Sequence, residues 1–199
     1  MLGPLSDTIQ GVVDFTWPML IISIVIMVSV RLTYLLKKQE KIILHRELLM
    51  LFFAIYILCL FQVVTFQDDT SWASNNFIPF HEILRYNITN RLFWKNVIGN
   101  MLMFLPFGFF ISYYIDAEDL RLPLILTTIA SLAIEIVQML IGRVFDVDDI
   151  LLNLIGGFCG FLIFHVFHKI GERFPVLHKD WILDILVILA IFGFLMLLI

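Results

Sequence analysis

Charged side chains are scarce in this sequence: Lys, Arg, Asp and Glu make up 15% of its 199 residues. Hydrophobic residues make up 61%, whereas a typical soluble domain has about 45–50%. The mean hydropathy is +0.98. A soluble fold of this size has too little polar surface to cover so much apolar area, which excludes an ordinary soluble domain. The composition is typical of a chain that folds with lipid as its solvent.

The sequence also lacks a basic surplus and a cysteine framework. Its net charge is −4, and it has no basic stripe, which argues against nucleic acid as a partner. Cys59 and Cys159 lie in apolar runs without a CxxC pair, so we expect small packing residues and not a disulfide. No Lys or Arg precedes Arg31, so the first apolar run lacks the basic segment of a cleavable signal peptide and is predicted to be a retained helix.

Common catalytic and metal-binding patterns are missing as well. The sequence contains no Gly-Xaa-Ser-Xaa-Gly, HExxH or P-loop pattern. His165 and His168 lie three residues apart, but this spacing alone is a weak indication of a metal site. We therefore predict no metal and no cofactor. The lack of a recognised nucleophile–base pair favours a non-enzymatic function, and enzymatic activity stays open.

Six long apolar runs are present, each close to the about 20 residues that a helix needs to cross a bilayer. We predict an all-α, polytopic transmembrane helix bundle with about six spans, at residues 17–36, 48–66, 97–115, 122–141, 150–168 and 181–199. The tryptophans support these spans, because indole rings prefer the headgroup level of a membrane. All of them lie at run ends or in a nearby loop: Trp17, Trp72, Trp94 and Trp181.

The basic residues predict which side of the membrane each loop faces. Nine of the 13 lie in or beside the first, third and fifth loops, and four lie in the second and fourth. Lys and Arg are enriched in cytoplasmic loops. Both chain ends, the second loop (67–96) and the turn at 142–149 are therefore predicted to face outwards. Aromatic and aliphatic residues interleave with polar ones in the second loop, which predicts a short interfacial helix starting at Pro79 or Phe80.

Polar residues concentrate near the outer ends of the third, fourth and fifth runs. Glu135 and Gln138 are three residues apart and share a helix face. A charged side chain deep in a lipid-facing helix costs about 2.5–3.5 kcal/mol, so Glu135 is expected to face the bundle interior. Asn153 lies one helical turn below Asp149. The candidate ligand-binding residues are Asn100, Glu135, Gln138, Arg143, Asp146, Asp148, Asp149 and Asn153.

Each of these residues also has a structural interpretation. Asp148 or Asp149 is placed to cap the fifth helix. The two asparagines are suited to bridge helices, and Glu135 is suited to an ion pair with the arginine of the turn. Gly156 and Gly160 form a small-xxx-small seam that lets a neighbouring helix approach closely.

The order and spacing of these residues resemble the VanZ family of membrane proteins. The pattern runs Asn100-Met-Leu-Met-Phe104-Leu-Pro106-Phe-Gly108, Glu135-Ile-Val-Gln138, Gly142-Arg143-Val-Phe-Asp146-Val-Asp148-Asp149-Ile-Leu-Leu-Asn153 and Gly156-Gly157, with Asn76-Phe77-Ile78-Pro79-Phe80 ahead of it. The resemblance predicts three segments. They are an N-terminal two-helix segment (1–74), a VanZ-like core of an interfacial segment and three transmembrane helices (75–168), and a cytoplasmic loop with the last helix (169–199).

The resemblance implies a multi-pass protein of the bacterial cytoplasmic membrane. Founding members of the family lower susceptibility to teicoplanin, a lipid-tailed glycopeptide. The expectation is therefore a protein of the cell envelope that reduces lipoglycopeptide action through an outward-facing polar pocket. That pocket would recognise an amphiphile or lipid headgroup, with membrane lipids, a lipid-tailed glycopeptide or a lipid-linked wall precursor as partners.

Two other functions stay open. The first is an intramembrane enzyme that modifies a lipid or lipid-linked wall precursor, with Glu135 as general acid or base and Asp148 and Asp149 holding a divalent cation. The second is a small transporter or substrate-binding membrane subunit, which only the chain length and helix count suggest.

Overall fold

Helices account for most of the chain in the computed structural model, which describes residues 3–39, 41–66, 75–85, 93–174 and 179–198. Within these residues there is no β-strand beyond one isolated bridge. A π-helical turn, Phe93–Ile98, leads directly into the fourth α-helix. The α-helices are α1 (Gly3–Lys38), α2 (Leu44–Phe66), α3 (His81–Arg85), α4 (Gly99–Tyr114), α5 (Arg121–Leu140), α6 (Val147–Arg173) and α7 (Asp180–Leu198).

Five of the described helices are long and apolar enough to cross a membrane. These stretches are Trp17–Lys38, Leu44–Gln62, Asn96–Tyr114, Arg121–Leu140 and Val147–Arg173. With the 19 residues of α7, whose sequence is almost entirely apolar, the helices account for about six spans. The predicted all-α bundle of transmembrane helices is confirmed.

Helices α1, α2 and α6 begin at least three residues before the predicted spans, and α2 begins at Leu44 and not at 48. α1 begins at Gly3, well before residue 17, and α6 runs from Val147 to Arg173 and not from 150 to 168. Hydropathy marks the part of a helix that lies in hydrocarbon, whereas backbone hydrogen bonding continues into the interfacial residues at either end. The early start of α6 matters for the site, because it changes which aspartate precedes the helix.

Tryptophans mark the ends of the spans. Trp17, Trp94 and Trp181 are more than half exposed and lie where the first, third and last apolar stretches begin. This placement is typical of rings at the membrane–water interface. Trp72 and parts of the predicted second loop, 67–74 and 86–92, lie outside the described residues.

The chain forms two compact units, the first made of residues 1–63 and 170–199 and the second of residues 64–169. In the first unit, Arg31 near the end of α1 donates to both carboxylate oxygens of Glu47, at 2.8 and 3.0 Å. The backbone N–H of His45 donates to Asp184 Oδ1 at 2.7 Å, and the His45 ring lies 3.0 Å from the same oxygen. These contacts place the end of α1 and the starts of α2 and α7 together.

In the second unit, glycines bring the backbones of α4 and α6 into contact. Gly156 lies against the backbone of Met101, and Gly160 lies against that of Leu105. A Cβ at Gly157 would lie 2.6 Å from Oγ1 of Thr127 on α5. The predicted small-residue seam is therefore confirmed, and it holds α4, α5 and α6 in one core.

The buried face of α5 is polar, which is the reverse of a soluble amphipathic helix. Its buried residues recur every three or four positions: Pro123, Thr127, Ser131, Glu135 and Gln138. The opposite face presents Ile125, Ile129 and Leu132, which are exposed and apolar. Since lipid can cover the apolar face, α5 directs its polar groups towards α4 and α6.

Candidate functional site

The candidate site is built around the last turns of α5, where Glu135 is only 2% exposed. This burial agrees with the predicted inward orientation of Glu135. Its Oε2 accepts the backbone N–H of Asp146 at 3.0 Å. The carboxylate therefore fixes the turn that follows α5.

Gln138 connects Glu135 to Arg143. With the amide oriented to satisfy both neighbours, its nitrogen donates to Glu135 Oε1 at 3.0 Å, and its oxygen accepts from Arg143 Nη1 at 3.0 Å. The backbone N–H of Arg143 also donates to the Gln138 carbonyl at 2.9 Å. Arg143 thus lies above the Glu135 face, as its spacing in the sequence predicted, and reaches the acid through an amide.

The segment before α3 pairs with the turn after α5. Asn76 donates its backbone N–H to the carbonyl of Phe145 at 2.8 Å and accepts from the N–H of Val147 at 3.1 Å. Its side-chain Nδ2 donates to Asp146 Oδ1 at 2.8 Å, and Asn75 Oδ1 accepts the N–H of Phe145 at 2.9 Å. These bonds hold residues 75–76 beside the start of α6.

The aspartates of the turn have separate structural roles. Asp146 Oδ1 accepts the N–H of Asp148 at 2.8 Å and so caps α6. The carboxylate of Asp148, which is 1% exposed, instead accepts the N–H groups of Phe80 and Ile83, at 2.5 and 3.2 Å, at the start of α3. The prediction that Asp148 or Asp149 caps the fifth transmembrane helix was therefore wrong. α6 begins at Val147, so both residues lie inside its first turn.

Two asparagines bridge the helices. Asn100, in the first turn of α4, donates through Nδ2 to Asp149 Oδ1 in a short hydrogen bond. Asn153 donates through Nδ2 to Ser131 Oγ on α5 at 2.9 Å. Among the residues that the structure describes, the other amide atom of Asn153, Oδ1, is buried and has no donor.

All eight predicted residues form hydrogen bonds near this end of α4, α5 and α6, and we call this group, with Asn76 and Ser131, the polar cluster. Its members are Asn76, Asn100, Ser131, Glu135, Gln138, Arg143, Asp146, Asp148, Asp149 and Asn153. Ser131 was missed by the sequence reasoning, and Asn76 was named only in the family pattern and not as a site residue. The spacing of Ser131 could have identified it, since it lies four residues before Glu135 on the same helix face. The pairing of Asn76 with Asp146 is non-local and leaves no periodic trace in the sequence.

The polar cluster has a buried floor and a partly exposed rim. Glu135, Gln138, Asp148 and Asn153 are buried, whereas Asn100, Arg143, Asp146 and Asp149 are partly exposed. The charges of Glu135, Asp146, Asp148 and Arg143 all act on Asp149. The cluster thus contains four carboxylates and one guanidinium, so it is formally negative.

The described residues contain no group of three or more His, Cys, Asp or Glu side chains that could hold a metal ion. Both oxygens of Asp148 accept backbone N–H groups, so this residue is poorly placed to share a cation with Asp149. The divalent-cation version of the enzymatic hypothesis therefore gains no support from this geometry.

Comparison with known proteins identifies a family for this chain. The family model for VanZ/LLP1 matches residues 53–168, more than half of the chain, and this range includes every residue of the polar cluster. None of the curated proteins and none of the solved structures compared with the chain matches it. The sequence pattern that resembled this family is the same pattern that builds the polar cluster. The chain is an integral membrane protein that belongs to the VanZ/LLP1 family.

Proposed function

We propose that this protein binds the polar head of an amphiphile at the polar cluster and thereby reduces the action of lipoglycopeptide antibiotics such as teicoplanin. The observation that carries the proposal is the position of the cluster. It lies where three apolar helices, α4, α5 and α6, begin or end, and it combines a buried floor with a partly exposed rim. A membrane lipid places its own polar head at this depth.

The charge of the cluster argues against a purely structural role. Buried charges destabilise a fold unless they are paired, and a structural network is expected to balance its charges. Here Glu135, Asp146, Asp148 and Asp149 outnumber Arg143. A ligand with a cationic group would reduce this excess of negative charge.

Arg143 is the member of the cluster best suited to an anionic group. Gln138 holds the guanidinium at the partly exposed rim. A guanidinium donates two parallel hydrogen bonds to a phosphate or carboxylate, which favours binding of such a group in one orientation. Both groups occur in amphiphiles of the bacterial envelope.

The proposed site opens to the outside of the cytoplasmic membrane as a pocket at the end of α5. The excess of basic residues in the first, third and fifth loops supports this orientation. A lipoglycopeptide or a lipid-linked wall precursor would meet the protein on that face.

Antibiotic sensitivity in a susceptible Gram-positive host tests the proposal. Expression of the protein should reduce sensitivity to teicoplanin more than to vancomycin, which lacks the lipid tail. Arg143→Ala should abolish this protection at unchanged membrane abundance. Arg121→Ala is the matched control, since Arg121 is exposed at the start of α5 and far along the helix from Glu135. Unchanged sensitivity in a host that expresses the protein in its membrane would reject the proposal.

The enzymatic alternative has weaker support. Both carboxylate oxygens of Glu135 accept N–H groups, from Asp146 and Gln138, which favours a positioning role over acid–base chemistry. Release of a modified lipid by the purified protein, lost on Glu135→Gln, would reverse this order.

A further inference from the structure

One part of the polar cluster offers acceptors without donors. Asn153 Oδ1 is buried and unpaired within the described part of the chain. Asp149 Oδ1 accepts from Asn100 Nδ2, and no described residue donates to Asp149 Oδ2. No described residue donates to Asn100 Oδ1 either. These three oxygens lie in the first two turns of α6 and the first turn of α4.

Asn153 is the strongest indication that these acceptors belong to a binding site. The residue is 4% exposed, and its amide nitrogen is held by Ser131 Oγ, so its oxygen has a set orientation. Buried polar atoms in proteins almost always have a hydrogen-bond partner. Asp149 and Asn153 are four residues apart on one helix, so both side chains lie on the same face.

The electrostatics of this region favour a cation. Asp149 is partly exposed, and among the described residues Glu135, Asp146 and Asp148 add negative charge around it, whereas Arg143 adds positive charge. A primary ammonium group has a positive charge, three N–H donors and no acceptor. It therefore matches both the sign of the charge and the donors that Asp149, Asn153 and Asn100 lack.

We propose that the polar cluster binds the primary ammonium group of a zwitterionic phospholipid headgroup, held by Asp149 and Asn153, with Arg143 on the phosphate. This inference rests on the proposed function, because it names the class of amphiphile that the cluster recognises. A phosphoethanolamine headgroup contains both groups, and the charge-assisted bonds on either side would fix its orientation.

A lipid is favoured over a soluble amine by the apolar residues beside the cluster. Asp148 holds the backbone of Phe80 and Ile83, so α3 and its flanking residues lie next to the acidic groups. Phe77 and Leu84 in this segment are 67% and 81% exposed. Large exposed apolar side chains next to a polar site are typical of a surface that contacts acyl chains.

Lipid binding by the purified full-length protein in nanodiscs tests the recognition of the ammonium group without any mutation. Native mass spectrometry would compare phosphatidylethanolamine, phosphatidylcholine and phosphatidylglycerol with matched acyl chains. We expect the primary amine to bind best, the quaternary amine, which has no N–H donor, to bind more weakly, and the anionic lipid without an amine to bind weakest. Equal binding of all three lipids would overturn the proposal. Competition by water-soluble glycerophosphoethanolamine, at the concentration at which the lipid itself binds, would also overturn it.

Two substitutions locate the ammonium group. Asp149→Asn replaces the carboxyl group with an amide of nearly the same shape and should weaken phosphatidylethanolamine binding about tenfold, since a hydrogen bond to a charged group is lost. Asn153→Ala should also weaken it. Glu118→Gln removes one negative charge from an exposed loop and should leave binding unchanged. Thermal unfolding in the same detergent identifies a variant that has lost its fold, and an Asp149→Asn protein that stays folded with unchanged lipid preference would contradict the proposal.

Measuring teicoplanin protection on the same variants separates this inference from the proposed function. Loss of protection in Asp149→Asn with an unchanged preference for the amine lipid would overturn the ammonium site and leave the proposed function intact. Full protection in a variant that has lost the lipid preference would overturn headgroup recognition as the basis of protection, while the ammonium site would stand.

Discussion

At the scale of single residues, Glu135 is held mainly as an acceptor. Its Oε2 atom accepts the N–H of Asp146 at 3.0 Å. Its Oε1 atom accepts from the amide nitrogen of Gln138, and the amide oxygen of Gln138 accepts from Arg143. An ionised carboxylate in this position ties the end of α5 to the turn before α6. Through this turn, Glu135 helps to position the side chains of Asp146 and Asp148.

Glu135→Gln should therefore lower stability and not only function. The new amide keeps one acceptor oxygen but presents an NH₂ group to one of the two present donors, leaving that donor unsatisfied. A lost hydrogen bond to a buried charged group costs about 1.5–3 kcal/mol, so the midpoint of thermal unfolding in detergent should fall. Glu118→Gln, in an exposed loop, is the control and should unfold like the unaltered protein. A folded Glu135→Gln protein with an unchanged midpoint would show that the carboxylate does not position the turn.

Residue spacing predicted most of this site. The 135/138 and 149/153 intervals place side chains on single helix faces, and the cost of exposing charge to lipid turns the Glu135 face inwards. The assignment of the helix cap failed because hydropathy located the start of α6 three residues too late, at 150 and not at Val147. The contribution of Asn76 was not predictable, since its bonds to Phe145, Asp146 and Val147 join segments about 70 positions apart, where periodicity carries no information.

At the scale of helices, the fold depends on small residues in α6. Gly156 and Gly160 allow α4 to approach, and Gly157 accommodates the side chain of Thr127 on α5. This close packing brings Asn100 to Asp149 and Ser131 to Asn153, so the geometry of the polar cluster follows from the glycine seam. A small displacement of either helix would separate these pairs.

Gly157→Ala should destabilise the protein, and a change on α5 should restore part of the loss. The added Cβ would lie 2.6 Å from both Oγ1 and Cγ2 of Thr127, and such overpacking costs about 1–3 kcal/mol. In Thr127→Ala both of those atoms are absent, so the double variant should recover part of the unfolding temperature. Gly99→Ala is the control, because its nearest neighbour would lie at 3.8 Å. If the two substitutions lower stability additively, α5 and α6 are not in this contact.

At the scale of the whole molecule, the contacts within each unit are consistent with the predicted path across the membrane. His45 in the first turn of α2 meets Asp184 at the start of α7, and four spans, α2 included, lie between them in the chain. Asn76 meets Asp146, and the two spans α4 and α5 lie between them. An even number of spans returns the chain to the same side, so both contacts fit a path in which all the long helices cross. Inside and outside are assigned only by the distribution of Lys and Arg.

Cysteine labelling in intact cells tests that assignment. In a protein with Cys59 and Cys159 replaced by serine, His81→Cys on α3 should react with a membrane-impermeant maleimide added outside. Glu118→Cys, in the loop between α4 and α5, should react only after the membrane is made permeable. Both positions are exposed, so a difference in labelling reports the side of the membrane and not burial. The expectation follows from the nine basic residues in or beside the first, third and fifth loops against four in the others.

Labelling of Glu118→Cys alone from outside would invert the orientation and place the polar cluster on the cytoplasmic face, where an extracellular lipoglycopeptide cannot reach it. Labelling of both from outside would contradict a membrane crossing by α4, which separates the two positions in the chain.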